Sequence, residues 1–266
     1  SWSNVQFMDI DGDGLPEPVR RVVGGRIRAR LNQLGKVNRL IRVVNPLGGS
    51  ISVGYSRVGN TYDMPQSRWV MSSVSVNHDV NSMETGDGAP NRQHVWAHAY
   101  EGGKWDRYNK EFLGFGRVTT SQANGEGQHR YSCTEYDVSD FHVAGKVRLQ
   151  TLSTDPGCAS HVLEQTKYMY HPAQIVSQLD DPVLCPVQKP LSYVAQGPSH
   201  PCSSSVVHQL EVERWSYEMH DNNLVVAAHK RERNLAYDRF GNVTLVEDQD
   251  DVDDPTDDVQ VAVRYR

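Results

Sequence analysis

No stretch of this sequence is apolar for long enough to cross a membrane as a helix, and none of twelve residues or more carries a helical repeat of apolar positions. The first lack argues against membrane insertion by this segment, and the second against an α-rich fold. There is no start Met and no signal-peptide pattern; the chain opens in mid-pattern with "SWSNVQFMDIDGDG", as a fragment of something longer does. Positive charge is scarce: 27 Lys and Arg stand against 33 Asp and Glu, for a net charge of −6. Nucleic-acid binding needs clustered Lys and Arg facing phosphates. The most basic stretch, "RRVVGGRIRAR", alternates charged with apolar residues and reads as the wet face of a strand, so nucleic acid is not an expected partner. The four cysteines form no CxxC pair, which weakens zinc and redox readings. Cys158, Cys185 and Cys202 share a loop-rich segment with His161 and His200, where free thiols or a disulfide stapling that loop are favoured over a metal site. GxSxG, HExxH and phosphate-binding Gly loops are absent. His94 and His98 lie four apart on a strand-like segment and make poor paired ligands. No catalytic residue is assigned, and a glycosidase reading fails for want of a carboxylate pair that stands out.

What is present is two-fold alternation, nearly everywhere. Segments such as "SISVGYSRV", "RWVMSSVSVNHDV", "HVWAHAYEG", "KVRLQTLST" and "HQLEVERWSYEMH" are rich in Val, Thr, Tyr and Ile and alternate apolar with polar. Turn signals separate them: "NPLGG", "EGGK", "NGEG", "HDNN" and "RFGN". The expected fold is all-β, with long antiparallel strands and hairpins forming an extended curled sheet. Two stretches interrupt it. Residues 153 to 205, rich in proline and holding three cysteines, read as an excursion from the sheet with a short strand at 161 to 171. "EDQDDVDDPTDD", 247 to 258, reads as a solvated acidic hairpin tip.

The opening loop "DIDGDGLPE" places Asp9, Asp11 and Asp13 at alternate positions, then Gly14 for a sharp turn. Leu15 can supply a backbone carbonyl and Glu17 a carboxylate, a hard-oxygen set that suits calcium. An EF-hand is excluded, because Arg20 stands where its twelfth-position Glu belongs, and Pro16 and Pro18 forbid the following helix. The shorter loop resembles the calcium loop of FG-GAP blades in integrin-like β-propellers, with Glu17 in place of the usual Asp. The ion's expected role is structural.

"YDRFGNVTLV" resembles a YD repeat of the Rhs type. In it Gly241 and Asn242 supply the turn, Tyr237 can pack on the neighbouring hairpin, and Asp238 can bond turn amides. "EYDVSDFHVAGKVRLQ" is a looser second copy. "NKEFLGFGRV", with Glu111, Phe112, Gly114, Phe115 and Gly116, resembles a segment of the B component of bacterial insecticidal toxin complexes. The upstream "RLIRVVNPLGGSISVGYS" and the acidic "DVDDPTDDV" resemble that family too, and all occur in its order. Bottom-up, two glycines flanking Phe115 suggest a kink or bulge that re-aims an aromatic inward.

The resemblance implies a division into residues 1–24 as the end of an FG-GAP-like propeller and 25–152 as the B-component middle region. Residues 153–205 would be an insertion and 206–266 the first YD-repeat hairpins. It implies a structural segment of a hollow shell around a toxic cargo, linked to a propeller that docks on a translocation channel. The expected partners are the cargo-bearing C component and the channel-forming A component. The complex would be assembled in the bacterial cytoplasm and act as a secreted toxin. The chain itself would not be an enzyme. The alternative is a calcium-dependent all-β surface adhesion or binding module.

Overall fold

The computed structural model describes residues 5–12, 14–33, 38–46, 48–77, 93–123, 129–170, 174–175, 205–220, 223–238 and 242–265. Among these there is no helix, and the paired strands are antiparallel. The cause is the alternation already noted, carried by β-branched and aromatic residues that favour a pleated, half-buried surface. Two units divide the chain, Ser1–Ser132 and Cys133–Arg266.

The first unit begins with a three-stranded sheet, β1 (Val5–Met8), β2 (Glu17–Arg21) and β3 (Ile27–Ala29). It continues with β4 (Arg42–Val44), β5 (Ser50–Val58), β6 (Arg68–Asn77), β7 (Gln93–Asp106) and β8 (Glu111–Ala123), each beside the next. The division falls within β9 (His129–Asp137). The second unit carries β10 (Lys146–Ser153), β11 (Val162–Tyr170), the short pair β12 (Gln174–Ile175) and β13 (Ser205–Val206), then β14 (Gln209–His220), β15 (Asn223–Tyr237), β16 (Val243–Gln249) and β17 (Val259–Ala262). In the second unit the strand order runs β17-β16-β15-β14-β11-β10. Fully buried apolar side chains are few among the described residues: Met64, Leu113, Cys133 and Val212.

Three expectations change. "EGGK" is not a turn: Glu101–Lys104 lies inside β7, and the reversal falls at residues 107–110. Its glycines serve close packing instead, since a Cβ on Gly103 would stand 2.5 Å from the Met64 sulfur. Among the described residues, the basic segments around 26–45 form only two three-residue strands. Finally, residues 162–170 do not leave the sheet: β11 pairs with β10 on one side and β14 on the other. Cys185, Cys202 and His200 lie outside the described residues.

Candidate functional site

The loop between β1 and β2 brings three carboxylates together. Oxygens of Asp9, Asp11 and Glu17 all lie within 4.8 Å of one another, the one such group of metal-type ligands among the described residues. Asp13 lies outside the described residues, and Leu15 sits in the same turn. Gly12 and Gly14 take left-handed conformations (φ 72° and 81°) that most side chains resist, which lets the loop double back. The Gly14 N–H donates to Asp9 Oδ2 at 2.8 Å. Glu17 is the informative member. It is wholly buried, and its carboxylate accepts from the Ile10 N–H at 2.8 Å and the Asn32 N–H at 3.5 Å. No described Lys or Arg pairs with it. A buried carboxylate beside two others, held by amides alone, is costly without a positive charge nearby. These residues could hold a divalent cation, which would supply that charge, and their hard oxygens are of the kind calcium takes.

Beneath the loop lies a joint that the motifs did not announce. The Gly12 carbonyl accepts from the Ser67 N–H at 2.6 Å, and the Asp11 carbonyl from Asn60 Nδ2 at 3.1 Å. Residues 59–67 therefore hold the loop from one side. On their other side they grip the β7–β8 hairpin: the Trp105 N–H donates to the Asp63 carbonyl at 2.8 Å, and Arg107 Nη2 to the Tyr62 carbonyl at 2.8 Å. Between these bonds the buried Met64 enters a space floored by Gly59 and Gly103, with Phe115 beside it.

The Gly-Phe-Gly segment lies in β8, against this joint. Lys104 faces Gly114 but Trp105 faces Phe112, so Leu113 is an extra, buried residue and Gly114 takes φ 118°. This is a β-bulge. Phe115 packs against Tyr100 at 5.0 Å and Phe112 at 5.2 Å, and Arg68 lies over the Phe112 ring at 4.3 Å. Gly116 comes within 3.5 Å of where a Cβ on Gly102 would stand. Glu111 faces Asp106 where the hairpin turns. The Asn109 side chain, then the Tyr108 amide, hold the Asp106 carboxyl below its usual range.

At the YD segment, the Asp238 carboxylate accepts from the Asn242 backbone and side-chain nitrogens, both at 2.9 Å, and closes the turn. Gly241 lies outside the described residues. The Tyr237 hydroxyl donates to the Gln209 carbonyl, its ring lies 4.2 Å from His208, and burial pushes its pKa up. In the looser copy, Asp137 likewise accepts from the Ser139 N–H two residues on, at 2.8 Å. His94 and His98 have structural surroundings, one stacked on Trp96 and the other bonded to Thr120 Oγ1 at 3.0 Å.

Two features of the second unit carry no sequence motif. Cys158 pairs with Cys133 in a disulfide, so its partner stands on β9 and not in the proline-rich loop. That connection between β10 and β11 is also knotted around Asp155, whose carboxylate accepts from the Ala159 N–H and is held below its usual range chiefly by that bond. Along β14–β16 the register sets Glu211 opposite Arg233 and Arg233 opposite Glu247, with Glu213 opposite Arg231. The pairs close at 3.1, 3.5 and 2.8 Å.

Residues 1–145 match the family model described as the insecticide toxin TcdB middle/N-terminal region. The chain belongs to this family. No curated protein matches the sequence. Among solved structures, a crystal structure of TcdB2-TccC3-TEV is similar with TM-score 0.60 at 13% identity, over 92% of this chain and 14% of that one. TcdB2-TccC3 without its hypervariable C-terminal region gives 0.60 at 14% identity, over the same shares. The Photorhabdus luminescens Tc holotoxin pore, carrying a TccC3 mutation, gives 0.58 at 13% identity, over 92% and 13%. At these identities the likeness is one of fold, and this TcdB-type chain spans about one seventh of the chains it resembles.

Proposed function

We propose that this chain is a wall and connector segment of a toxin-complex B component, without catalytic activity of its own. Its main sheet forms part of a hollow shell that encloses a toxic cargo. Its first residues end the propeller that docks on the translocation channel. The partners are the cargo-bearing C component and the channel-forming A component; the complex assembles in the bacterial cytoplasm and acts outside the cell. The observation that carries this reading is the family match over residues 1–145, which takes in the Asp loop, the joint and β4–β9. Likeness in fold to TcdB2-TccC3 and to a holotoxin pore supports it. The test uses the full-length B protein co-expressed with its C component. The shell predicts that cargo resists added protease, and that Met64→Ala with Gly103→Val, which disrupts the joint, exposes it. Undiminished protection in a variant whose segment is demonstrably unfolded would overturn the wall role.

We also propose that the Asp9, Asp11 and Glu17 loop holds one calcium ion in a structural role. The buried Glu17 without a cationic neighbour supports this. Calcium is expected to raise the melting temperature of the chain relative to chelator, and Asp11→Ala to abolish the difference. Equal melting temperatures with calcium and chelator in the unsubstituted chain would remove the ion from this account.

A further inference from the structure

The hairpin β2–β3 gathers four of its arginines on one face. Arg20 stands directly opposite both Val5 and Arg28. Phe7 is opposite Pro18, whose carbonyl accepts from the Arg30 N–H at 3.3 Å, and the Val22 N–H donates to the Arg26 carbonyl at 2.8 Å. Residues paired across antiparallel strands share a face, and alternate residues along a strand return to it. Arg20, Arg26, Arg28 and Arg30 therefore share one face with Phe7, while Glu17 belongs to the other. All four arginines are exposed, and Phe7 is 67% exposed. Their side chains make no hydrogen bond or ion pair among the described residues. The surrounding sequence offers no relief: residues 18–58 hold nine Lys and Arg and no Asp or Glu.

We propose that this face docks an acidic protein surface. Like charges directly opposite on a sheet destabilise the isolated hairpin, and carboxylates brought by a partner convert that repulsion into bidentate pairing. Arginine beside an exposed aromatic is the composition of a protein interface core. A long polyanion such as nucleic acid fits less well, because the chain as a whole carries −6 and repels it at a distance. A compact acidic patch meets the arginines without meeting the rest. This inference stands apart from the shell and the calcium ion.

The test measures fluorescence anisotropy of a labelled twelve-residue glutamate peptide with the 266-residue chain, beside a thymidine oligonucleotide of equal charge. The peptide is expected to bind in low salt and to be released as salt rises. Arg28→Glu is expected to weaken binding at least fivefold while melting at the same or a higher temperature, because it sets a carboxylate opposite Arg20. Arg20→Gln with Arg28→Gln, which removes charge without reversing it, is expected to show the same loss. Arg148→Glu, on β10, is expected to leave binding unchanged. Full binding in either the Arg28→Glu or the double Gln variant overturns the proposal. So does an equal loss in Arg148→Glu, or an oligonucleotide that binds as tightly as the peptide.

Discussion

The hairpin β2–β3 and the ribbon β14–β16 both set arginines at directly opposed cross-strand positions, with opposite results. Arg20 faces Arg28, whereas Arg231 faces Glu213, and Arg233 stands between Glu211 and Glu247. In the ribbon the guanidiniums of Arg231 and Arg233 are satisfied within the unit, and Glu213 is nearly buried by its partners. In the hairpin each one points at solvent. Composition alone does not separate the two cases, because both segments are arginine-rich alternating strands. The cross-strand partner decides whether the charge holds the sheet together or remains available. The units also differ in how their loops are fixed: a disulfide and an Asp155-centred turn in the second, a buried Met64 among glycines in the first.

The comparison can be broken in order of expected effect. Cys133→Ser with Cys158→Ser removes a cross-link between residues 25 apart and should cost the second unit about 3 kcal/mol. Hydrogen exchange at the β14 backbone amides, followed against urea, reports the loss in that unit. A loss near zero would mean that the Asp155 network already fixes the connection. Next, Arg231→Ala leaves Glu211 and Glu213, neighbours on one face of β14, with one cation fewer, and loss of the partly buried pair should cost about 2 kcal/mol by the same measurement. Arg20→Ala should cost nothing, or stabilise slightly, since it ends a repulsion. Similar losses for the two arginines would erase the distinction. A loss smaller than that of Arg231→Ala belongs to Gly103→Ala, whose Cβ meets the flexible end of Met64 and should cost about 1 kcal/mol. Faster hydrogen exchange at the Trp105 amide is the sign to look for, since that amide is bonded to the Asp63 carbonyl.

Much of this was legible in the sequence. The alternation in "SISVGYSRV" and "HQLEVERWSYEMH" yields β5 and β14 almost to the residue. The spacing of Asp9, Asp11 and Glu17 pointed to carboxylates that the structure gathers. Other features were hidden for physical reasons. Glycine pairs signal turns when read locally, so Gly102 and Gly103 hid a strand in which Gly103 makes room for a side chain 39 residues earlier. Cys133 sits in an ordinary strand pattern, and no local rule pairs it with Cys158. The joint at 59–67 consists largely of main-chain bonds, which leave little trace in residue type. The ladder of β14–β16 depends on register, which alternation constrains only to a face and not to a partner.

That joint has a consequence for mutational tolerance. Its key bonds, Ser67 N–H to the Gly12 carbonyl and Trp105 N–H to the Asp63 carbonyl, use groups that every residue except proline carries on its backbone. A substitution scan across 59–67 should therefore look nearly blank, with sharp intolerance at Gly59, Asn60 and Met64 and for proline at Ser67. The connection is written in the path of the chain more than in its letters, and so can persist while the letters drift.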